Sequence, residues 1–264
     1  MKNLNYKKLT LIMAFSFLVL WQFCSFSFSQ TNKVTENKTI TGEQILDKYI
    51  EATGGKKAYD KIKNRLTKGM VEIPAAGIKL ELTVYSAKPN KLYTLVKSKE
   101  IGDTESGTDG KIFWEKTLTS GPRILEGTEL TEAQREAVFD KDVHWKKVYA
   151  KAEFVGMDSV DTNLCYKVIM HPKEGKPQTF FFDQKSYLLV KTEAIVETQM
   201  GSVPLQTFFG DYKKVDGILI SHRATIKVIG QDQLITWQSI EHNIKMPEDI
   251  FKIPEDIKKL MEKK

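Results

Sequence analysis

The sequence predicts a mainly β protein built around one large antiparallel sheet or barrel. From about residue 152 onwards, seven strand-like segments follow one another and are separated only by short runs of turn residues. Several earlier segments alternate apolar and polar residues with the period of two that is typical of a strand. The repeated strand–helix units of a parallel α/β fold do not occur in the sequence, which favours the antiparallel class.

The first residues have the organisation of a secretory signal peptide. A basic stretch at residues 2–8 precedes an apolar run from Leu9 to Phe23, and small residues follow at Ser27 and Ser29. A membrane-spanning helix needs ~20 apolar residues, so an uncleaved anchor is the weaker alternative. We therefore predict that residues 1–29 are removed after Ser29 and that the mature chain is periplasmic.

The two cysteines support a secreted protein that lacks disulfides. Cys24 follows the bulky Phe23, whereas a lipid-attachment motif has a small residue there, which argues against lipid anchoring. Cys165 alone would remain in the mature chain, and its strand-like surroundings predict a buried, unreactive thiol. A secreted chain without disulfides is typical of a bacterial periplasm and depends on its own apolar core for stability.

The charge pattern argues against nucleic-acid binding. The formal net charge of the whole chain is +6, and three of the lysines lie in the signal peptide. The remaining lysines are scattered, without a basic stripe interleaved with aromatic residues. Residues 257–264 form a basic tail, which leaves transient membrane contact as an option beside a solvated helix end.

A single amphipathic helix is predicted after the polar lead-in of residues 30–40. Thr41 and Gln44 have the spacing of a capping box, and Gly54 and Gly55 end the helix. The apolar residues that share one helical face are Ile45, Leu46, Tyr49 and Ile50. Because this face is apolar, the helix must pack on the sheet.

The middle of the chain predicts further strands and one helix. Strands are expected in RLTKGMVEI, GIKLELTVYSAKP, NKLYTLVKSKEIG and, after an Asp109–Gly110 turn, KIFWEKT. EIGDTESGTDGK lacks EF-hand spacing and is interpreted as a hairpin connection. A helix is predicted from about Thr131 to about Phe139. Without any composition break, residues 41–256 are predicted to form one domain.

Catalysis and metal binding lack support in the sequence. The histidines lack the spacing of a metal site, and no nucleotide-binding or nucleophile motif occurs. Asp216–Gly217 is predicted to be a hairpin turn, and the distance from Asp216 to His222 along an extended strand is roughly 20 Å. His222 is therefore interpreted as a hydrogen-bonded wall residue, and we expect neither an enzyme nor a cofactor.

Several strands carry apolar residues on both faces, which leaves two interpretations open. Phe180, Phe181 and Phe182 are consecutive, and Ile218, Ile220, Ala224, Ile226 and Val228 share a face with His222. A filled core explains this pattern. A cavity for an apolar ligand inside a curled sheet explains it as well.

A set of segments in the same order resembles the LolA/LolB-like family of outer-membrane lipoprotein-sorting proteins. These segments are TGEQILDKYIEATGG, TDGKIFWE, FFFDQKSYLLVKTE, DYKKVDGILISHRATI and NIKMPEDIFKIPE. The resemblance implies a strongly curved antiparallel sheet, an unclosed barrel, whose open side is covered by the N-terminal and mid-chain helices. It also implies a cavity that holds acyl chains.

The resulting hypothesis is a monomeric, non-catalytic periplasmic carrier whose partners are acyl chains or lipoproteins. A surface-interaction or structural protein with a fully packed sheet is the alternative. The predicted cavity residues are inward aromatic and branched side chains, namely Trp114, Phe180, Phe182, Leu188, Ile218, Ile220, Ile226 and Trp237.

Overall fold

A single antiparallel sheet dominates the computed structural model, which describes residues 40–98, 102–198, 201–228 and 231–262. The predicted signal peptide, Cys24 and nearly all of the polar lead-in lie outside these ranges. The strands are β1 (Asn64–Ile73), β2 (Ile78–Ala87), β3 (Lys91–Lys97), β4 (Thr104–Thr108), β5 (Phe113–Thr117), β6 (Gly121–Ile124), β7 (Tyr149–Val160), β8 (Asn163–Pro172), β9 (Gln178–Asp183), β10 (Leu189–Thr198), β11 (Gly201–Val215), β12 (Ile218–Val228) and β13 (Gln231–His242).

The strand order shows how the sheet is assembled from two runs of neighbouring strands. Strands β1 to β6 follow one another outwards on one side, and β13 to β7 follow one another outwards on the other. The two runs meet where β1 pairs with β13, so the first and last strands lie at the centre of the sheet. Among the described residues β6 and β7 are the unpaired edges, and the predicted unclosed barrel is confirmed.

Four α-helices accompany the sheet: α1 (Gly42–Ala52), α2 (Lys56–Asp60), α3 (Gly127–Ala137) and α4 (Glu255–Met261). The predicted capping box of α1 is present, because the Thr41 hydroxyl accepts from Gln44 N and the Gln44 side chain accepts from Thr41 N. Helix α3 begins at Gly127 rather than at Thr131, whose hydroxyl donates to the Gly127 carbonyl inside the first turn. None of the helices in the described ranges is long and apolar enough to cross a membrane.

Helices α1 and α3 pack on the same side of the sheet, which we call the helix-covered face. Tyr49 of α1 contacts Phe182 of β9 with ring centroids 5.4 Å apart. Phe113 of β5 packs against Ala133 and Ala137 of α3. The terminal helix α4 lies near β6, and Ile257 is fully buried, so the described part of the basic tail joins the packed domain.

Strand β4 corrects the prediction that EIGDTESGTDGK only connects two strands. Most of its residues are small, and at Gly107 an added Cβ would lie 2.9 Å from the Leu92 carbonyl oxygen and 3.0 Å from the Trp114 ring. A sequence of small polar residues is typical of a loop. Here the glycine at position 107 is required by close packing against the Trp114 ring.

The hairpin between β11 and β12 forms as the sequence predicts. Asp216 and Gly217 have φ angles of 48° and 87°, which both central positions of a type I′ turn require. After this turn, alternate residues of β12 are buried: Ile218, His222, Ala224, Ile226 and Val228. The hairpin therefore forms a wall on the helix-covered face.

Candidate functional site

A cavity of about 420 Å³ lies between the helix-covered face and the segment 136–143, which follows α3. Strands from both halves of the sheet line it, together with Tyr49 of α1 and Tyr59 of α2. Because the cavity includes residues of both β1 and β13, the central strand pair forms part of its wall.

Much of the wall is apolar. The large apolar lining side chains are Leu82, Val84, Leu92, Phe139, Phe180, Leu189, Phe209, Leu219, Ile220, Ile235, Trp237 and Ile240. Phe209 is packed against both main apolar clusters of the protein. A wall of this composition can bind an aliphatic chain by burying it, since each buried methylene contributes ~0.8 kcal/mol.

One end of the cavity is charged. Arg65 Nη2 donates to Asp140 Oδ1 at 3.0 Å, and Arg65 Nε donates to His242 Nε2 at 3.0 Å. The guanidinium also stacks over the Phe139 ring at 5.3 Å. The Asp140 side chain is only 1% exposed, and this burial raises the pKa of its carboxyl although Arg65 opposes the shift. Asp140 therefore depends on Arg65 for its charge compensation.

A second charge cluster lies beside the first. Lys141 Nζ lies 3.1 Å from Asp142 Oδ1 and 3.6 Å from Glu136 Oε2. Burial lowers the pKa of Lys141, but the two carboxylates outweigh burial and hold that pKa well above its usual range. Burial raises the pKa of Glu136, and Lys141 opposes the shift. All three side chains line the cavity.

Three tyrosines complete the polar end. Burial raises the pKa of Tyr59 to about 12 and raises the pKa values of Tyr49 and Tyr212 as well. The Tyr212 hydroxyl donates to the Leu189 carbonyl oxygen at 2.7 Å. These phenols stay neutral near neutral pH and can act as hydrogen-bonding groups.

His222 does not pair with Asp216, the aspartate that precedes it by six residues. His222 is buried and its Nδ1 lies 2.9 Å from the carbonyl oxygen of Ile220, as expected of a hydrogen-bonded wall residue. Asp216 instead contacts Nδ1 of His242 at 3.0 Å. Because His242 Nε2 accepts from Arg65, the ring is held in its neutral form with the proton on Nδ1. Within the described ranges, no group of three or more His, Cys, Asp or Glu could hold a metal ion.

Three of the eight predicted cavity residues lie in the wall of this cavity: Phe180, Ile220 and Trp237. Their contact with a ligand stays a prediction. The structure brings these three together from strands β9, β12 and β13, although 57 positions separate the first from the last.

The other five predicted residues lie outside the wall. Trp114 is buried on the opposite face from Phe113, with its ring 6.3 Å from Tyr93. Phe182, Ile218 and Ile226 are fully buried within the apolar clusters. Leu188 precedes β10, and its neighbour Leu189 occupies the wall.

Sequence reasoning missed the charged end. Arg65 carries a recognisable signal, because it shares a strand face with Thr67, Val71 and Ile73 and is therefore directed towards the helices. Asp140 belongs to an irregular segment and has a φ of 52°, so no periodicity indicates its direction. Its position depends on how the segment after α3 crosses the sheet.

Comparison with solved structures identifies the fold. A DUF1329 family protein from Desulfovibrio piger matches with a TM-score of 0.57 and 14% identity, covering 81% of this chain and 98% of that chain. A LolA superfamily protein from Nitrosomonas europaea matches with a TM-score of 0.57 and 13% identity, covering 81% and 99%. A domain from Vibrio parahaemolyticus assigned to outer membrane lipoprotein sorting matches with a TM-score of 0.55 and 11% identity, covering 80% and 97%.

These similarities confirm that the chain has the LolA-like fold, which the order of the family-like segments along the sequence predicts. No protein family matches the sequence, and comparison with curated proteins finds no significant match. At such low identity the shared fold does not carry over the function of any neighbour.

Proposed function

We propose that the protein is a non-catalytic carrier that holds an acyl chain of a lipid or lipoprotein in the cavity on its helix-covered face. The observation that carries the proposal is the cavity of about 420 Å³, whose wall combines a large apolar area with a separate charged end. Pockets of ~300–1,000 Å³ with mostly apolar walls are typical of small-molecule binding sites.

The proposal includes a location and a way of acting. With a signal peptide at residues 1–29, the carrier works in the periplasm, where it takes up its ligand and releases it by transient contact with a membrane or a lipoprotein. Burial of the chain drives binding, so the wall needs no nucleophile or general base. The hydrogen bond of His222 to a backbone carbonyl is consistent with a structural role.

Native mass spectrometry of the full protein purified from a bacterial envelope tests the proposal. We expect a second mass series that corresponds to the protein with one bound lipid, which disappears after delipidation. Delipidated protein should then bind a fluorescent fatty acid at micromolar concentration. A folded sample that carries no lipid and binds no acyl-chain probe would support the alternative of a structural or surface-interaction protein.

A further inference from the structure

Lysines are scattered along the sequence, but the fold collects six of them beside the charged end of the cavity. Lys88 Nζ donates to the carbonyl oxygen of Asp60 at 3.2 Å, and Lys88 N donates to the Lys63 carbonyl oxygen at 3.0 Å. His144 Nε2 lies 3.7 Å from Asp60 Oδ1, which brings the segment that contains Lys147 to the same place. We call these side chains the basic rim: Lys56, Lys57, Lys61, Lys63, Lys88 and Lys147.

The basic rim lies next to the cavity but outside it. Tyr59 and Phe139 line the cavity, whereas none of the rim lysines does so within the described ranges. Lys88 Nζ lies 5.9 Å from the centre of the Phe139 ring. Lys57 and Lys61 lie on either side of Tyr59 along the chain and are four positions apart, so they share one face of the helical turn. A surface that contacts the rim therefore also lies beside the cavity.

The acidic groups near the basic rim do not neutralise it. Asp60 and Asp216 are exposed, and each lies beside a histidine. Glu43 contacts Lys146, a lysine outside the rim, at 2.7 Å. Glu241 alternates with cavity residues on β13 and so lies on the opposite face of the sheet. The carboxylates at the charged end of the cavity contact cations inside the cavity. Six lysines therefore face two nearby carboxylates, an excess of four positive charges.

The chemistry of the basic rim favours a lipid surface over a protein partner. All six cations are lysines, which are flexible and strongly hydrated point charges. Protein interfaces are instead enriched in arginine and aromatic side chains and depleted in lysine. Lysines near an anionic bilayer each add to the attraction without a fixed geometry. The exposed large apolar side chains of the described ranges, such as Leu118 and Leu164, lie elsewhere, so contact through the rim is electrostatic and reversible.

We infer that the basic rim docks the protein on anionic lipid bilayers, with the cavity beside the membrane surface. Phosphate head groups of the bilayer face the lysines of the rim. The inference rests on the proposed function for the purpose of docking, which is to bring the cavity close to the acyl chains that it exchanges. Because the attraction is electrostatic, the protein can leave the membrane again after the exchange.

Co-sedimentation with lipid vesicles tests the docking. Delipidated protein from the bacterial envelope is mixed with vesicles of phosphatidylcholine, either alone or with about one third phosphatidylglycerol, an anionic lipid. We expect roughly tenfold or stronger preference for the anionic vesicles at low salt. About 0.5 M salt should abolish the preference, because it shortens the range of charge attraction to about 4 Å. An uncleaved apolar N-terminal segment would bind both kinds of vesicle alike, so the preference reports on charge.

The decisive variant combines Lys57→Gln, Lys61→Gln and Lys63→Gln. Each lysine near an anionic surface accounts for about fivefold in affinity, so the triple variant should bind the anionic vesicles about a hundredfold more weakly. Its affinity for a fluorescent fatty acid should equal that of the wild type, because none of the three lines the cavity. Circular dichroism checks folding, and the double variant of Lys57→Gln and Lys147→Gln carries the test if the triple variant does not fold.

A matched control removes the same charge from the other side of the sheet. Lys68, Lys79 and Lys97 are exposed on strands β1, β2 and β3, and each alternates with side chains of the cavity or the core, which places it on the opposite face. Replacing these three lysines by glutamine should weaken binding to the anionic vesicles by less than about threefold, since they lie far from the docked surface.

The outcomes separate the docking surface from the carrier. Equal binding of the wild-type protein to both kinds of vesicle, or equal weakening in the two triple variants, overturns the docking inference and leaves the carrier proposal intact. Rim-dependent binding to polyglutamate without binding to anionic vesicles would identify an acidic protein as the partner and would overturn the inference as well. Failure of the folded wild-type protein to bind a fatty acid overturns the carrier proposal, whereas the vesicle result is independent of it.

Discussion

The most informative perturbation of this protein is a larger side chain in the cavity wall that fills part of the cavity. Ala224 lines the cavity, and its strand neighbours Phe209 and Ile235 line it on either side. Ala224→Phe therefore projects an aromatic ring into the space that we assign to an acyl chain. The change adds no charge and removes no hydrogen-bonding side chain.

The expected loss of affinity follows from the volume that the ring takes. If the ring displaces about three methylenes of the ligand, binding loses ~2.4 kcal/mol at ~0.8 kcal/mol for each methylene. That loss corresponds to a roughly fiftyfold weaker Kd. Fluorescent fatty-acid titration of delipidated protein measures it, and Ala150→Phe, on an exposed position of β7, is the matched control.

Thermal stability of the same variant distinguishes an open cavity from a packed sheet. Overpacking a filled core costs ~1–3 kcal/mol, which in a domain of this size lowers Tm by roughly 2–12 °C. A ring that enters an open cavity should change Tm by less than about 2 °C. Folded Ala224→Phe that binds the fatty acid as tightly as the wild type would refute the assignment of this cavity as the binding site.

Three further predictions concern the fold and its charges. Thr41→Ala should lower the free energy of unfolding by ~1 kcal/mol in urea titrations, because it removes the capping box of α1, and an unchanged midpoint would contradict that role. Burial and Arg65 lower the pKa of His242 below 6.5, so the neutral ring's contribution to stability is present above that pH and is lost as the pH falls through the lowered value. His242→Gln should therefore flatten the decline of the free energy of unfolding below about pH 6.5. A decline as steep as that of the wild type would count against this role of His242. Gly107→Ala should cost ~1–3 kcal/mol in calorimetry because its Cβ meets Trp114 and the Leu92 carbonyl, whereas full stability would show that the ring can move aside.

Local patterns in the sequence are sufficient to predict most of the elements. The alternation in β2 and β12, the Asp216–Gly217 turn and the capping box at Thr41 depend on neighbouring residues, and each appears in the structure as predicted. Strand β4 escaped prediction because its sequence locally resembles a loop, and the close packing that requires Gly107 is a tertiary contact.

The candidate site was predictable only in part. Phe180 and Trp237 were identified as wall residues by their aromatic character and strand positions, and both line the cavity. Choosing between Leu188 and Leu189 needed the strand boundary, because a shift of one residue exchanges the two faces. Strand boundaries that are predicted from a sequence are seldom accurate to a single residue.

By itself, the sequence determined most of the strands, the amphipathic face of α1 and the sets of side chains that share a face, because these depend on backbone periodicity over a few residues. Only the tertiary structure decided which face the helices cover and where the cavity remains open. The pairing of β1 with β13 brings Arg65 beside His242, 177 positions away along the chain, and the segment after α3 adds Asp140. Contacts over such distances depend on the packing of the whole sheet, and no local pattern in the sequence encodes them.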